Sequence, residues 1–93
     1  MQIGVLKLRF LLHGCRSLKE KRQRLGGLRD RFGKSTSIAV CESAYQDSHQ
    51  HAEWTFVAVA QTARLVDQML GEIEQRVHDL ADAAVVDVLR EVR

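Results

Sequence analysis

The sequence predicts an α+β fold of the ferredoxin-like kind: a four-stranded antiparallel sheet, strand order 4-1-3-2, with two helices on one face. Three observations lead there. Segments of period two and period 3.6 follow one another as βαββαβ along the 93 residues. A capping box marks where the first helix begins. Right-handed crossovers then set the strand order. One domain spanning residues 1–93 accounts for the whole chain.

The first strand runs from Gly4 to Leu12, with Leu6, Leu8, Phe10 and Leu12 on one face and Val5, Lys7, Arg9 and Leu11 on the other. Ser17-Leu18-Lys19-Glu20 follows. Ser17 accepts from the Glu20 amide and Glu20 reaches back to the Ser17 amide, so both residues are structural. Leu18, Leu25, Leu28 and Phe32 then recur at helical spacing as far as Gly33. Gly26-Gly27 weakens that helix by about 1 kcal/mol per glycine relative to alanine. Residues 37–42 read as a short strand, 43–50 as a polar connection, and 52–60 as a strand rich in aromatic and β-branched residues. Thr62 caps a second helix with the stripe Val66, Met69, Leu70, Ile73, Val77 and Leu80. In the tail, Val85, Val88, Leu89 and Val92 also fit a helical stripe. The Val-Val-Asp-Val run and the need to pair the first strand favour a strand.

Composition bounds the function. A hydrophobic fraction of 45% with 28% charged residues describes a globular chain. No stretch of about 18 apolar residues could form a membrane helix. The N-terminus carries Lys7 and Arg9 inside its apolar stretch, unlike a signal peptide. With two cysteines and no disulfide framework, the expected compartment is the cytoplasm. The net charge of +2 hides a division: residues 1–35 hold ten Lys or Arg and two acids, whereas residues 36–93 hold four Arg and ten acids. That asymmetry suits a nucleic-acid surface or association between unlike patches.

The stretch VLKLRFLLHGCRSLKEKRQRL, residues 5–25, resembles the N-terminal signature of the YlxP-like family of small bacterial proteins of unknown function. Arg16–Arg22, RSLKEKR, is its most specific part, and residues 38–42 and 57–68 match in the expected places. The resemblance implies a ferredoxin-like fold and no established activity. Genes of such proteins often lie among translation and ribosome-maturation genes, which points towards RNA.

Three constellations are candidates for function. Lys19, Lys21, Arg22, Arg24, Arg29 and Arg31 crowd the first helix, some near its N-terminus, where positive charge opposes the macrodipole. Phosphate binding to RNA or a ribosomal particle is one reason to keep them, with Lys7 and Arg9 contributing from the sheet. A solvated helix face is the plain alternative. The second constellation is the sheet face away from the helices. If Thr55, Val57 and Val59 join the core, Trp54 and Phe56 face outward beside Val5 and Leu11. Such a patch suits a homo-oligomer interface or base stacking of the RNA-recognition-motif kind. With the strand faces inverted, both rings are core instead. The third, His13, Cys15, Cys41, His49 and His51, lacks a third ligand at a fixed spacing, so no metal or other cofactor is expected. No P-loop, GxGxxG, nucleophile elbow or HExxH is present, and the expectation is not an enzyme. A protein-interaction module without nucleic acid is the alternative function.

Overall fold

The computed structural model describes residues 1–93. The elements are β1 (Gln2–Leu11), α1 (Leu18–Phe32), β2 (Ile38–Ala44), β3 (His51–Ala60), α2 (Ala63–Leu80) and β4 (Ala84–Val92). They build the predicted βαββαβ fold, one antiparallel sheet in the order β2-β3-β1-β4. The tail is the strand β4, because β1 has backbone groups free on that side and β4 pairs with them from Gly4 to Leu11. No helix is long and apolar enough to cross a membrane.

Sheet register decides the core. Directly opposed residues of an antiparallel pair point to the same face. Leu6 lies opposite Phe56, Leu8 opposite Trp54 and Phe10 opposite Ala52. Leu6, Leu8 and Phe10 face the helices, so Trp54 and Phe56 must do so too. They are 6% and 0% exposed and belong to the core with Leu25, Leu28 and Phe32 of α1 and Val66, Leu70, Ile73 and Val77 of α2. The expectation that Trp54 and Phe56 lie on an outward interface, or stack bases there, is therefore corrected. β-branching at Thr55, Val57 and Val59 is a preference for strand, not for the buried side of one. Those three residues are the half-buried ones. The Phe56 ring meets Phe32 edge to face, with centroids 5.3 Å apart.

The helices dock by different means. Thr62 Oγ1 accepts from the Leu65 amide at 3.2 Å and starts α2. The stripe Val66, Leu70, Ile73 and Val77 is buried as predicted, while Leu80 at the helix end is exposed. Gly4 lets α2 approach β1: a Cβ there would collide with Val66 and come within 2.9 Å of Leu70 Cδ1. α1 buries Leu25, Leu28 and Phe32, and with them Lys21.

Candidate functional site

The site begins with the cap of α1. Ser17 is extended, and its Oγ accepts from the Glu20 amide at 3.0 Å. Only this half of the expected capping box forms. The Glu20 carboxylate turns instead to Arg24, one helical turn on, at 3.5 Å. The cap fixes the helical phase, and the phase divides the cations into two sets.

Lys21 and Arg24 point into the fold. The Lys21 ammonium is 3.0 Å from Glu42 and donates to the carbonyls of Tyr45 at 2.7 Å and Ser48 at 2.8 Å. Its three donors are thereby used. Tyr45 adopts φ 63, a left-handed conformation, so Lys21 ties down the strained corner of the β2–β3 connection. Arg24 donates to the carbonyls of Asp82 at 2.8 Å and His13 at 2.9 Å, fastening two loops beside the helix. As phosphate contacts both residues are corrected: they are internal staples, and Lys21 is only 4% exposed.

Lys19, Arg22, Arg29 and Arg31 are exposed, as are Arg16 before the helix and Lys34 after it. None of the six lies within 4.0 Å of a carboxylate. The Arg29 guanidinium sits 5.6 Å from the Trp54 ring centroid. Of the two sheet cations, Lys7 is half-buried on the uncovered face and Arg9 is paired with Glu53 at 3.1 Å.

A cleft of about 460 Å³ opens between α1 and the β2 side of the sheet. Leu25, Gly26 and Arg29 form part of its helical wall; Glu42, Gln46 and Trp54 contribute opposite. Two features in or beside this cleft are not required by the fold. Gly26 and Gly27 lie mid-helix, where each costs about 1 kcal/mol relative to alanine. Yet a Cβ at either position would meet nothing within 4 Å. The Trp54 Nε1–H is buried with no acceptor, which costs about 1–3 kcal/mol. Sequence reading did not find this cleft. The paired glycines were its one visible signal, and they read as helix weakness rather than as an opening.

On the uncovered face Val5 pairs with Val57 and Lys7 with Thr55. Val5 and Leu11 are half-buried there. Beyond them lies a polar cluster. Glu53 is buried, accepts from Ser43 at 2.7 Å and from Arg9 at 3.1 Å, and the Arg9 guanidinium lies 5.9 Å from the Tyr45 ring centroid. The Ser43 hydroxyl, with help from Arg9, holds the Glu53 carboxyl below its usual range against the opposing effect of burial. Cys15 is buried and Cys41 exposed, and no three His, Cys, Asp or Glu side chains gather as metal ligands.

Comparison with solved structures returns the same fold. A structural-genomics protein, YJCS, matches with TM-score 0.58 and 8% identity over 96% of each chain. SnoaB, a cofactor-independent oxygenase from Streptomyces nogalater, matches with TM-score 0.52 and 11% identity over 99% of this chain and 90% of that one. A VAO-type flavoprotein from Myceliophthora thermophila C1 matches with TM-score 0.57 and 12% identity, covering 99% of this chain but 16% of that one. At these identities the likeness is one of fold alone. No curated protein matches the sequence. One family model does, over residues 3–90, and by that match the chain belongs to the family described as protein of unknown function (DUF503).

Proposed function

We propose that this protein is a cytoplasmic RNA-binding factor, of the YlxP-like kind, that grips the phosphate backbone with the exposed cations of α1 and its flanks. The observation that supports this is the division of the basic motif. Lys21 and Arg24 are absorbed by carbonyls and carboxylates of the chain, whereas Arg16, Lys19, Arg22, Arg29, Arg31 and Lys34 have no carboxylate partner. Unpaired cations gathered on one element repel each other and favour an anionic partner. The acids of the chain lie mostly in residues 36–93, and of these Glu42 and Asp82 fold against α1 and are taken by Lys21 and Arg24.

The test is a fluorescence-anisotropy titration with single-stranded RNA over a series of salt concentrations. Affinity should fall with salt, and Lys19→Glu with Arg31→Glu should flatten the logarithmic slope by about 1.4, two contacts at about 0.7 each. An unchanged slope overturns the assignment to α1.

A second reading, self-association, has its own observation. β4 is an edge strand with Val86, Val88, Leu89 and Val92 all exposed, beside the bare face carrying Val5 and Val57. Exposed apolar edges of this kind favour a partner strand or sheet. Light scattering should give the mass of a dimer, reduced to a monomer by Val57→Asp with Leu89→Asp. A wild-type monomer at all concentrations sinks this reading.

A further inference from the structure

We propose that the cleft between α1 and β2 binds one nucleotide, either a free mononucleotide or a single unpaired nucleotide of an RNA strand, against the bare helix backbone at Gly26. This deepens the RNA reading and rests on it for the second source.

Three independent features support it. Gly26 lies on the cleft wall with open space where its side chain would be, so the fold does not need glycine there and the bare backbone is open to a ligand. Glycine at such a place permits close approach of a ligand to the backbone. Gly27, equally unconstrained, does not line the cleft and provides a built-in control. Second, Trp54 lines the same cleft, is 6% exposed, and keeps an indole N–H without an acceptor. That donor is shielded in the free chain, and it gains where the wall yields enough for an acceptor, such as a base carbonyl, to reach it. Third, the walls carry complementary groups of unlike kind. Arg22 and Arg29 lie one turn before and one turn after Gly26 and are unpaired, which suits a phosphate. Gln46 and Asp47 line the opposite, loop-side wall and can accept from an exocyclic amino group. Asp30, Glu42 and Asp47 also line the cleft and would repel an acidic peptide charged along its length, whereas a nucleotide carries its charge at one end and can set it at Arg22 and Arg29. A nucleotide uses both walls, and the volume of about 460 Å³ lies within the range of small-ligand sites.

Trp54 is the only tryptophan, so its fluorescence reports on this cleft and the core beneath it, with no other indole contributing. Wild-type protein is titrated with the four nucleoside monophosphates, a single-stranded tetranucleotide, inorganic phosphate and a polyglutamate peptide. At least one monophosphate or the tetranucleotide should change the emission saturably. Gly26→Leu should weaken that response at least tenfold while raising the melting temperature, because leucine improves the helix and fills only open space. Gly27→Ala should also raise the melting temperature but bind as wild type. Should Gly26→Leu fail to fold, Arg29→Leu keeps the apolar cover over Trp54, removes the charge, and carries the same expected loss. Response to the tetranucleotide alone identifies an RNA strand as the source; response to a monophosphate of equal strength identifies the free nucleotide. Silence with every nucleotide, equal binding by Gly26→Leu, an equal response to inorganic phosphate, or binding of polyglutamate alone each overturns the proposal. Salt-dependent RNA binding that leaves Trp54 silent sinks the cleft but spares the backbone reading. Loss of both sinks both.

Discussion

α2 presses Val66, Leu70, Ile73 and Val77 into the core, and Gly4 of β1 lets it settle onto the sheet. α1 presses Leu25, Leu28 and Phe32 inward and adds a lysine, with a cleft left open along its β2 flank. Electrostatics differ in degree, since α2 leaves only Arg64 and Arg76 without a carboxylate partner. Beside α2, Arg90 of β4 is held by Asp67 through its carbonyl at 2.6 Å and its carboxylate at 2.9 Å. On α1 four cations have no carboxylate partner, next to two that are bound within the chain. One side of the helical layer is held chiefly by apolar shape, with a more open hollow of about 430 Å³ beside Leu65, Gln68 and Met69. The other is pinned at a few polar points and leaves chemistry exposed between them. The difference teaches that residue type alone says little about role: Lys21 and Arg22 are sequence neighbours, and the helical phase gives one to the fold and one to solvent.

The sharpest way to break this comparison is to neutralise those neighbours in turn. Lys21→Met strands Glu42 and two loop carbonyls, and should cost about 3 kcal/mol in urea unfolding, the low end for a buried pair because Glu42 keeps some solvent. Arg22→Met should stay within about 0.5 kcal/mol. Equal losses would mean that the division of the motif is wrong. The glycines give the next effect. Gly4→Ala should destabilise by about 1–3 kcal/mol through overpacking against Val66 and Leu70. Gly27→Ala should stabilise by about 1 kcal/mol, since the helix gains and nothing is displaced. Same-signed changes would remove the contrast between a glycine that the fold needs and one that it does not.

The smallest expected effect lies across the sheet from α1, on the β2–β3 part of the uncovered face. Glu53 titrates below its unfolded value of 4.5, chiefly through the Ser43 hydroxyl. A depressed carboxylate contributes stability that is fully present above the unfolded value and is lost as pH falls through the folded one. Urea midpoints should therefore be flat from neutrality down to about 4.5 as far as this group is concerned, then fall. Ser43→Ala should cost about 0.5–1 kcal/mol at neutral pH and shallow the acid decline. A decline of unaltered steepness in Ser43→Ala would assign the acid sensitivity to other carboxylates.

Much of the fold was legible because it is written locally. The Ser17 and Thr62 caps, the α2 stripe and the alternation of β1 each depend on residues within a turn or two of one another. The site was less legible. The six cations of α1 were visible as a cluster, but their division depended on Glu42, Tyr45, Ser48, His13 and Asp82, which come from loops and a strand elsewhere in the chain. The inward turn of Trp54 was missed for a related reason. Both faces of β3 carry apolar residues, so alternation alone cannot choose between them.

By itself, then, the sequence determined the order and type of the first five elements, where each helix starts, and which faces of β1 and α2 are buried. These follow from backbone hydrogen bonding and side-chain periodicity, which act over a few residues. The tail's choice of strand over helix rested on its pairing with β1. Only the tertiary structure decided which face of β3 joins the core, which cations are spent on loops, and that a cleft remains beside Gly26. The physical reason is register: pairing Leu8 with Trp54, and Trp54 with Glu42, joins residues far apart in the chain, and a shift of one position would exchange every inside residue for an outside one.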